Sequence, residues 1–138
     1  MSEENVESMR RAIEVWNRDD FDEYLRIVEE LVHPDLEWYV VIAQLVEGNE
    51  TVYRGIPGMR RFWEDWHEVF DFRFDETEIR DLGEQLLVLS RASVTGRGSG
   101  VDLSTPLAML VTFEGDRMIR SESFLDHAEA LEAAGLSE

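Results

Sequence analysis

Three histidines are the side chains of this chain best suited to moving a proton near neutral pH. His33 precedes Pro34 at the predicted end of a helix, where a hydrogen bond to the backbone is its expected role. His67 lies one position from the apolar stripe of another predicted helix and is a candidate catalytic residue at a pocket mouth. His127 starts the last predicted helix and is interpreted as a surface residue. Their wide spacing forms no metal-ligand motif, so no metal is expected.

An arginine and two serines on predicted strands are candidates for binding a polar group of a ligand. Arg91 and Ser93 alternate along one strand, and Ser123 lies near the end of the last strand. If Arg91 projects into a pocket, it can hold an anionic or carbonyl group, and the serines can donate to the same ligand. If it projects from the outer face of the sheet, an ion pair with a neighbouring carboxylate is expected. An enzyme with a rearranged acid–base set would use Arg91, His67 and Glu122.

The composition excludes several other chemistries. All 13 basic residues are arginine and the chain has no cysteine, which removes lysine Schiff bases, thiol catalysis, disulfides and thiolate metal sites. The net charge of -18 opposes binding to nucleic acid or to an anionic membrane. No apolar stretch approaches the ~18 residues of a membrane span, and the N-terminal residues lack an apolar signal segment. A cytoplasmic location and no cofactor are therefore expected.

The chain has the size and composition of one domain, residues 1–138, with a hydrophobic fraction of 43%. Apolar residues at steps of three and four predict helices over 6–16 and 21–32, joined by a bend. The second helix must end near His33 and Pro34, since proline disfavours helical geometry in the residue before it. A third helix, starting near Pro57, presents one apolar face formed by Met59, Phe62, Trp63, Trp66 and Phe70.

The rest of the chain is mostly predicted strands. Aromatic and β-branched residues indicate a strand over 36–46, and four more follow over 72–80, 84–95, 101–113 and 117–125. Their short connections favour antiparallel neighbours. Asp126 and Glu129 form a capping-box pattern for a last helix over 127–134, with Gly135 at its end. Helices followed by a run of strands predict an α+β fold, with the helices on one face of a curved sheet.

The four tryptophans all fall on predicted inward faces, where they either fill the core or line a pocket. They are Trp16, Trp38, Trp63 and Trp66. Strand alternation places Val40 on the same side as Trp38 and turns Tyr39 away from the pocket.

Three stretches of sequence, together with this order of elements, resemble one family. They are residues 17–36 with His33-Pro34-Asp35, residues 53–66 beginning Tyr53-Arg54-Gly55, and residues 115–135 with Leu125-Asp126-His127. Over nearly its whole length the chain is similar to the SnoaL-like, polyketide cyclase-like proteins of the nuclear transport factor 2-like superfamily, which also holds ketosteroid isomerase. The resemblance implies a cone-shaped fold, in which a strongly curved antiparallel sheet packs against the N-terminal helices around a pocket. It also implies a homodimer.

The same resemblance places residues that cannot transfer protons where catalytic relatives keep acids and bases. The tyrosine, base and protonated-acid positions of ketosteroid isomerase match Ala12, Val40 and Met109. The base and histidine positions of the SnoaL-type cyclases match Ser123 and Met109. Of the Asp-Arg-Asp trio of the epoxide hydrolases, only Arg91 remains. Loss of a general acid or base costs a factor of roughly 100 to 10,000 in rate, so none of these activities is expected unchanged.

The sequence thus favours a SnoaL-like domain of unassigned activity that binds a small hydrophobic molecule between sheet and helices. Two alternatives stay open. One is an enzyme of isomerase, cyclase or hydrolase type with a non-standard acid–base set, and the other is a structural or partner-binding module with a closed core. The expected ligand-binding residues are Trp16, Trp38, Val40, Trp63, Arg91, Met109, Ser123 and Phe124.

Overall fold

The computed structural model describes residues 2–45, 52–98, 100 and 102–136. It begins with two helices, α1 (Ser2–Asn17) and α2 (Phe21–Leu31), separated by a bend. Asp20 caps α2, because its side chain accepts a hydrogen bond from the backbone N–H of Glu23. Asp19 in the bend has φ +60°, a left-handed conformation that aspartate tolerates better than most residues. Both helices and the bend were predicted from the apolar periodicity.

Strand β1 (Val32–Tyr39) follows α2 without a connecting loop. The guanidinium of Arg117 donates to the carbonyl oxygens of Glu29 and Val32, at 2.9 and 3.1 Å. It therefore satisfies carbonyl groups that the end of a helix leaves without partners. The predicted end of this helix near His33 and Pro34 is confirmed.

The strand predicted over 36–46 is shorter than expected. β1 ends at Tyr39, and Val41–Leu45 form a turn of 3-10 helix. The side chain of Ser123 satisfies two backbone groups at this point. Its Oγ accepts a hydrogen bond from Val41 N at 2.7 Å and donates one to Tyr39 O at 2.8 Å. Ile42, one of the β-branched residues that suggested a strand, is buried in the core within this turn. Val46 lies outside the described residues.

A short strand that the sequence did not predict, β2 (Val52–Arg54), pairs with β1 and leads directly into α3 (Gly55–Trp63). Gly55 has φ +64°, and a β-carbon at this position would lie 2.8 Å from the carbonyl oxygen of Pro34. Glycine is therefore required both by the backbone conformation and by the close approach of β1.

Helix α3 continues into one turn of π-helix, Glu64–Glu68. Two nitrogens of Arg97 donate to the carbonyl oxygen of His67, at 3.1 and 3.0 Å, and hold the end of this turn. The predicted apolar face of the third helix is buried, but Phe70 belongs to the strand that follows. Turns of π-helix occur often at functional sites, and this one contains the candidate residue His67.

Four long strands complete a six-stranded sheet of order β2-β1-β6-β5-β4-β3. They are β3 (Phe70–Asp81), β4 (Gln85–Gly96), β5 (Asp102–Glu114) and β6 (Arg117–Phe124). Neighbouring strands are antiparallel except β1 and β6, which run parallel with Trp38 opposite Ser121. The α+β fold is as predicted. The sheet is not wholly antiparallel, because its first strand, β1, pairs with its last strand, β6, in parallel.

The two faces of the sheet pack against different elements. On the inner face, side chains such as Val88, Met109 and Val111 join the main core with α1, α2 and α3. On the outer face, Leu87 and Leu110 belong to a second, smaller core, together with residues of α4 (His127–Ala133). The central strands β4 and β5 are therefore buried on both sides over part of their length.

Helix α4 shows one half of the predicted capping box. Asp126 accepts a hydrogen bond from the backbone of Ala128 at 2.8 Å. Gly135 has φ +77° just after the helix, and Leu136 N donates to Leu131 O at 2.7 Å. The predicted glycine at the helix end is confirmed, because the left-handed conformation there suits glycine.

Candidate functional site

A void of about 40 Å³ lies between α1, α2, α3 and the inner face of the sheet. No charged side chain lines it. Space of this size admits about one water molecule, so side chains nearly fill the ligand-free cavity. The lining residues are Met9, Ala12, Ile13, Trp16, Tyr24, Ile27, Val28, Leu31, Val32, Trp38, Met59, Phe62, Phe74, Met109 and Met118.

One wall of the cavity is aromatic and fixed by hydrogen bonds. Trp16 Nε1 donates to the carbonyl oxygen of Phe72 at 2.9 Å, and its ring stacks on Phe62 with centroids 4.9 Å apart. Tyr24 Oη donates to the carbonyl oxygen of Met59 at 2.7 Å. Burial raises the pKa of Tyr24, because the phenolate would lose its hydration. The tyrosine is therefore a neutral, fully engaged structural group.

The rest of the cavity is rich in methionine. Met9, Met59, Met109 and Met118 come from four different elements, and each is 3–4% exposed. Methionine side chains are unbranched and change conformation at low cost, so they fill irregular space and adapt to a guest. The cavity thus combines a rigid aromatic wall with an adaptable methionine wall.

Three serines on the inner side of the sheet differ in their hydrogen bonding. Ser90 donates to Leu107 O at 2.8 Å, and Ser123 is bound to the backbone of residues 39 and 41. Ser121 is fully buried, and its Oγ has no hydrogen-bond partner. The hydroxyl proposed from the sequence as a ligand group, Ser123, is thus already occupied, whereas Ser121 is not.

His67 is buried beside the cavity without lining it. Its ring stacks on Trp63 with centroids 4.0 Å apart and also contacts Trp16. Nε2 lies 2.7 Å from the carbonyl oxygen of Trp16, and Nδ1 lies 3.0 Å from a carboxylate oxygen of Asp19 without the alignment of a hydrogen bond. Burial lowers the pKa of His67, with the Arg97 guanidinium adding to the effect. The imidazole is therefore neutral at physiological pH and held in place by its surroundings.

The other candidate catalytic residues lie on the outer face. Arg91 is exposed, and its Nε donates to Ser104 Oγ at 2.8 Å. Ser93 donates to Asp75 on the neighbouring strand. Glu122 is opposite Leu110 and accepts a hydrogen bond from Arg120 at 3.3 Å. The structure therefore separates Arg91 and Glu122 from His67 by the thickness of the sheet.

Of the eight expected ligand-binding residues, Trp16, Trp38 and Met109 line the void. Val40 and Trp63 are buried in the main core but not at the void, and Trp63 packs behind Tyr24 with ring centroids 4.7 Å apart. Ser123 lies at the edge of the inner face. Phe124 packs on the outer face in the second core, and Arg91 is on the same face in solvent.

Sequence reasoning missed most of the helical lining. Tyr24, Val28 and Leu31 lie on the apolar face of α2 that the periodicity had identified, so that face was the available signal. Met59 and Met118 carry no such signal, because an isolated methionine on an inward position does not distinguish core from cavity.

The two remaining histidines have structural hydrogen bonds. His33 Nδ1 accepts from the backbone N–H of Asp35 at 2.9 Å, which is a turn role close to the one predicted. His127 is half-buried and bonds to the carbonyl oxygen of Ser90 at 2.8 Å, so it is not a simple surface residue. Within residues 2–45, 52–98 and 102–136, no group of His, Asp or Glu side chains is arranged to hold a metal ion.

The chain belongs to the SnoaL-like domain family, whose model matches residues 9–121. This assignment confirms the resemblance seen in the sequence. No curated protein matches the sequence. Among the described helices, none has the length and hydropathy needed to cross a membrane.

Solved structures show the same fold. An NTF2-like protein of unknown function from Burkholderia pseudomallei is 22% identical, with a TM-score of 0.70, over 96% of this chain and 97% of that one. TerC, co-crystallised with polyporic acid, is 20% identical with a TM-score of 0.71, over 96% and 98%. A protein with a ketosteroid isomerase-like fold from Catenulispora acidiphila, in complex with trimethylamine, is 11% identical with a TM-score of 0.69, over 94% and 93%. The nuclear transport factor 2-like, ketosteroid isomerase-like fold is thereby established.

Proposed function

We propose that this SnoaL-like domain binds a small, uncharged and largely apolar molecule in the cavity between sheet and helices. The observation that carries the proposal is the lining itself, which contains aromatic and aliphatic side chains and no ionisable acid or base near its ordinary pKa. A charged ligand would lose its hydration without gaining a counter-ion there. An apolar ligand would instead gain contacts with the aromatic wall.

The small size of the void requires the ligand to displace side chains. The four methionines supply that adjustment, because they can move aside without breaking a hydrogen bond. TerC was crystallised with polyporic acid and the Catenulispora acidiphila protein with trimethylamine, so this fold accepts small organic molecules in other members. Both observations support an adaptable binding cavity in this chain.

The cavity offers little for catalysis. Ala12 and Met109 line the void at two of the positions where the family resemblance placed catalytic groups. Arg91, His67 and Glu122 do not line it, and Arg91 and Glu122 lie on the opposite face from His67. Binding without turnover is therefore the function that this arrangement supports best.

The size of the void also favours a second candidate function, a partner-binding domain whose core is closed. The two candidates differ in whether the cavity opens to a guest. Against the second, Val69 is the only large hydrophobic side chain exposed among the described residues, so no apolar docking patch accompanies the closed core.

Titration with toluene, cyclohexanone and methylenecyclohexane tests the proposal, with binding followed by tryptophan fluorescence and by the unfolding midpoint. At a free ligand concentration of 100 times Kd, binding stabilises the folded state by about 2.7 kcal/mol. The control is Ala12→Leu, which places a larger side chain in the void and should remove binding while the fold is retained. Absence of binding to the unsubstituted protein would favour the closed-core candidate.

We also propose that the protein acts in the cytoplasm and, as the family resemblance suggests, as a homodimer. Light scattering coupled to size-exclusion chromatography measures the molar mass, and a monomer at micromolar concentration would contradict the proposal.

A further inference from the structure

We infer that the hydroxyl of Ser121 is the hydrogen-bonding anchor of the bound molecule, which would be a neutral compound carrying one carbonyl or hydroxyl group. This inference rests on the binding function proposed above and narrows its ligand class. The sequence did not assign this role to Ser121 and pointed instead to Ser123 and Arg91.

The first observation is the state of the Ser121 side chain. Its residue exposure is 0%, and its Oγ has no hydrogen-bond partner. Buried hydroxyl groups in native proteins are nearly always paired with protein or solvent, so an unpaired one calls for a specific explanation. A ligand that supplies the missing partner is such an explanation.

The second observation is the position of Ser121 in the sheet. It lies opposite Trp38 on β1 and opposite Val111 on β5, and residues directly opposite each other share a face. Met109 is two positions along β5 from Val111, on that same face. Trp38 and Met109 both line the void, and so does Met118 on the strand of Ser121 itself. Ser121 does not touch the void in the ligand-free structure, but three of its neighbours do.

The third observation is that the alternatives are occupied. Ser123 both donates and accepts, Ser90 donates to Leu107 O, and Tyr24 donates to Met59 O. Among the hydroxyls that the structure describes on the inner face and in the cavity wall, Ser121 alone can both donate and accept without breaking an existing bond. Movement of Met109 or Met118 would bring a ligand within reach of it.

These features define the chemistry of the ligand. A carbonyl oxygen would accept from Ser121, and a hydroxyl group could donate or accept. A carboxylate or ammonium group is disfavoured, because no lining residue carries a compensating charge. The rest of the molecule must be apolar to match the methionine and aromatic walls.

Comparison of two ligands of nearly equal shape tests the inference. Cyclohexanone has a carbonyl oxygen where methylenecyclohexane has a CH₂ group, so the pair isolates one hydrogen bond. We expect the protein to bind cyclohexanone about five- to tenfold more tightly, measured by isothermal titration calorimetry. In Ser121→Ala this preference should be lost or reversed, because the buried carbonyl oxygen of cyclohexanone would have no donor, while the dissociation constant of methylenecyclohexane should stay unchanged.

Ser123→Ala is the matched control, since Ser123 is two residues away on the same strand and opposite Met109. It should keep the preference for cyclohexanone. Without ligand, Ser121→Ala should unfold at or above the temperature of the unsubstituted protein, because it removes an unpaired polar group, whereas Ser123→Ala should unfold earlier.

The outcomes separate the two levels of the proposal. If both ligands bind with equal affinity, or if Ser121→Ala keeps the preference, the anchor is overturned and the binding cavity stands. If neither ligand binds, the proposed function fails and the anchor fails with it. Early unfolding of ligand-free Ser121→Ala would also overturn the anchor, since it would show that the hydroxyl has a partner within the protein.

Discussion

The inner and outer faces of one sheet carry opposite chemistry in this protein. On the inner face, Trp38 and Met109 line a cavity without charged groups. On the outer face, Glu37 accepts from Arg54 and Arg120, and Arg120 also bonds to Glu122 and covers the ring of Tyr39 at 4.9 Å. Because strand residues alternate between faces, adjacent positions such as 37 and 38 belong to different environments. Ionisable side chains in such a strand therefore do not imply an ionisable pocket.

The energetic consequence is that binding should depend on the inner face, stability on the inner face and the part of the outer face that α4 covers, and solubility on the rest of the outer face. Buried aromatic contacts contribute several kcal/mol each, whereas exposed ion pairs contribute little. Substitutions of buried inner-face residues should therefore cost more stability than substitutions of exposed outer-face residues.

Trp16→Ala should destabilise the fold by ~3–5 kcal/mol, because it removes a large buried ring and leaves the carbonyl of Phe72 without its donor. Urea unfolding measures the loss. Arg91→Ala on the outer face is the control and should change stability by no more than ~0.5 kcal/mol. Equal losses in the two variants would contradict the contrast between the faces.

Tyr24→Phe should cost ~1–3 kcal/mol while preserving the shape of the cavity. The substitution removes only the hydroxyl, so the buried carbonyl oxygen of Met59 loses its donor from Tyr24. Urea unfolding again gives the magnitude. Affinity for methylenecyclohexane should stay the same, and a large loss of affinity would show that Tyr24 contacts the ligand through its hydroxyl.

His67 should make the stability depend on pH. Its pKa in the folded state is lowered by burial, so the unfolded chain takes up a proton first as the pH falls. The stabilising contribution is therefore complete above about pH 6.5 and is lost on acidification below that value. His67→Gln keeps a donor near Trp16 O but does not titrate, so its stability difference from the unsubstituted protein should shrink between about pH 7 and pH 5.

Thermal unfolding at several pH values measures the stability of both proteins. Because both contain the same carboxylates, the contribution of those groups cancels in the difference. A difference that grows on acidification would mean that the imidazolium pairs with Asp19 more strongly than burial disfavours it.

Glu37→Gln should have the smallest measurable effect. Its hydrogen bond with Arg54 holds the pKa of Glu37 below its ordinary value, so the contribution exists above the unfolded pKa and is lost as the pH falls. Exposed pairs of this kind are screened by salt. The difference between Glu37→Gln and the unsubstituted protein should therefore vanish in about 1 M NaCl, and a salt-independent loss would indicate a packing role instead.

Periodic patterns in the sequence predicted the helices well and the strand faces less well. The steps of three and four in α1 and α2 reflect a single buried side, which the structure confirms. In β4 the residues from Leu86 to Ser90 are all buried, because α4 covers the outer face there. A strand buried on both sides has no alternation to show which side faces the helices. The prediction that Arg91 and Ser93 lie on the same side of one strand is therefore confirmed, but the sequence could not show which face of the sheet that side belongs to.

The same reasoning explains the errors at the candidate site. A shift of one residue in strand register exchanges the two faces, which is how Phe124 was expected in the pocket and lies against α4 instead. Trp16, Trp38 and Met109 were placed at the cavity, because their positions depended on the helix period or on the family resemblance. The unpaired hydroxyl of Ser121 had no signal in the sequence, since hydrogen-bond partners depend on the packed structure.

The parallel pairing of β1 with β6 has a consequence for the order of folding. Val32 is opposite Met118, so the wall of the cavity that contains Trp38 gains its neighbour in the sheet only after β6 has left the ribosome. Pairings across such a separation are slow to form, because the intervening chain must first lose conformational freedom. In a nascent chain that ends before residue 117, β1 would have only β2 as its neighbour in the sheet, and its other edge would lack a hydrogen-bonding partner.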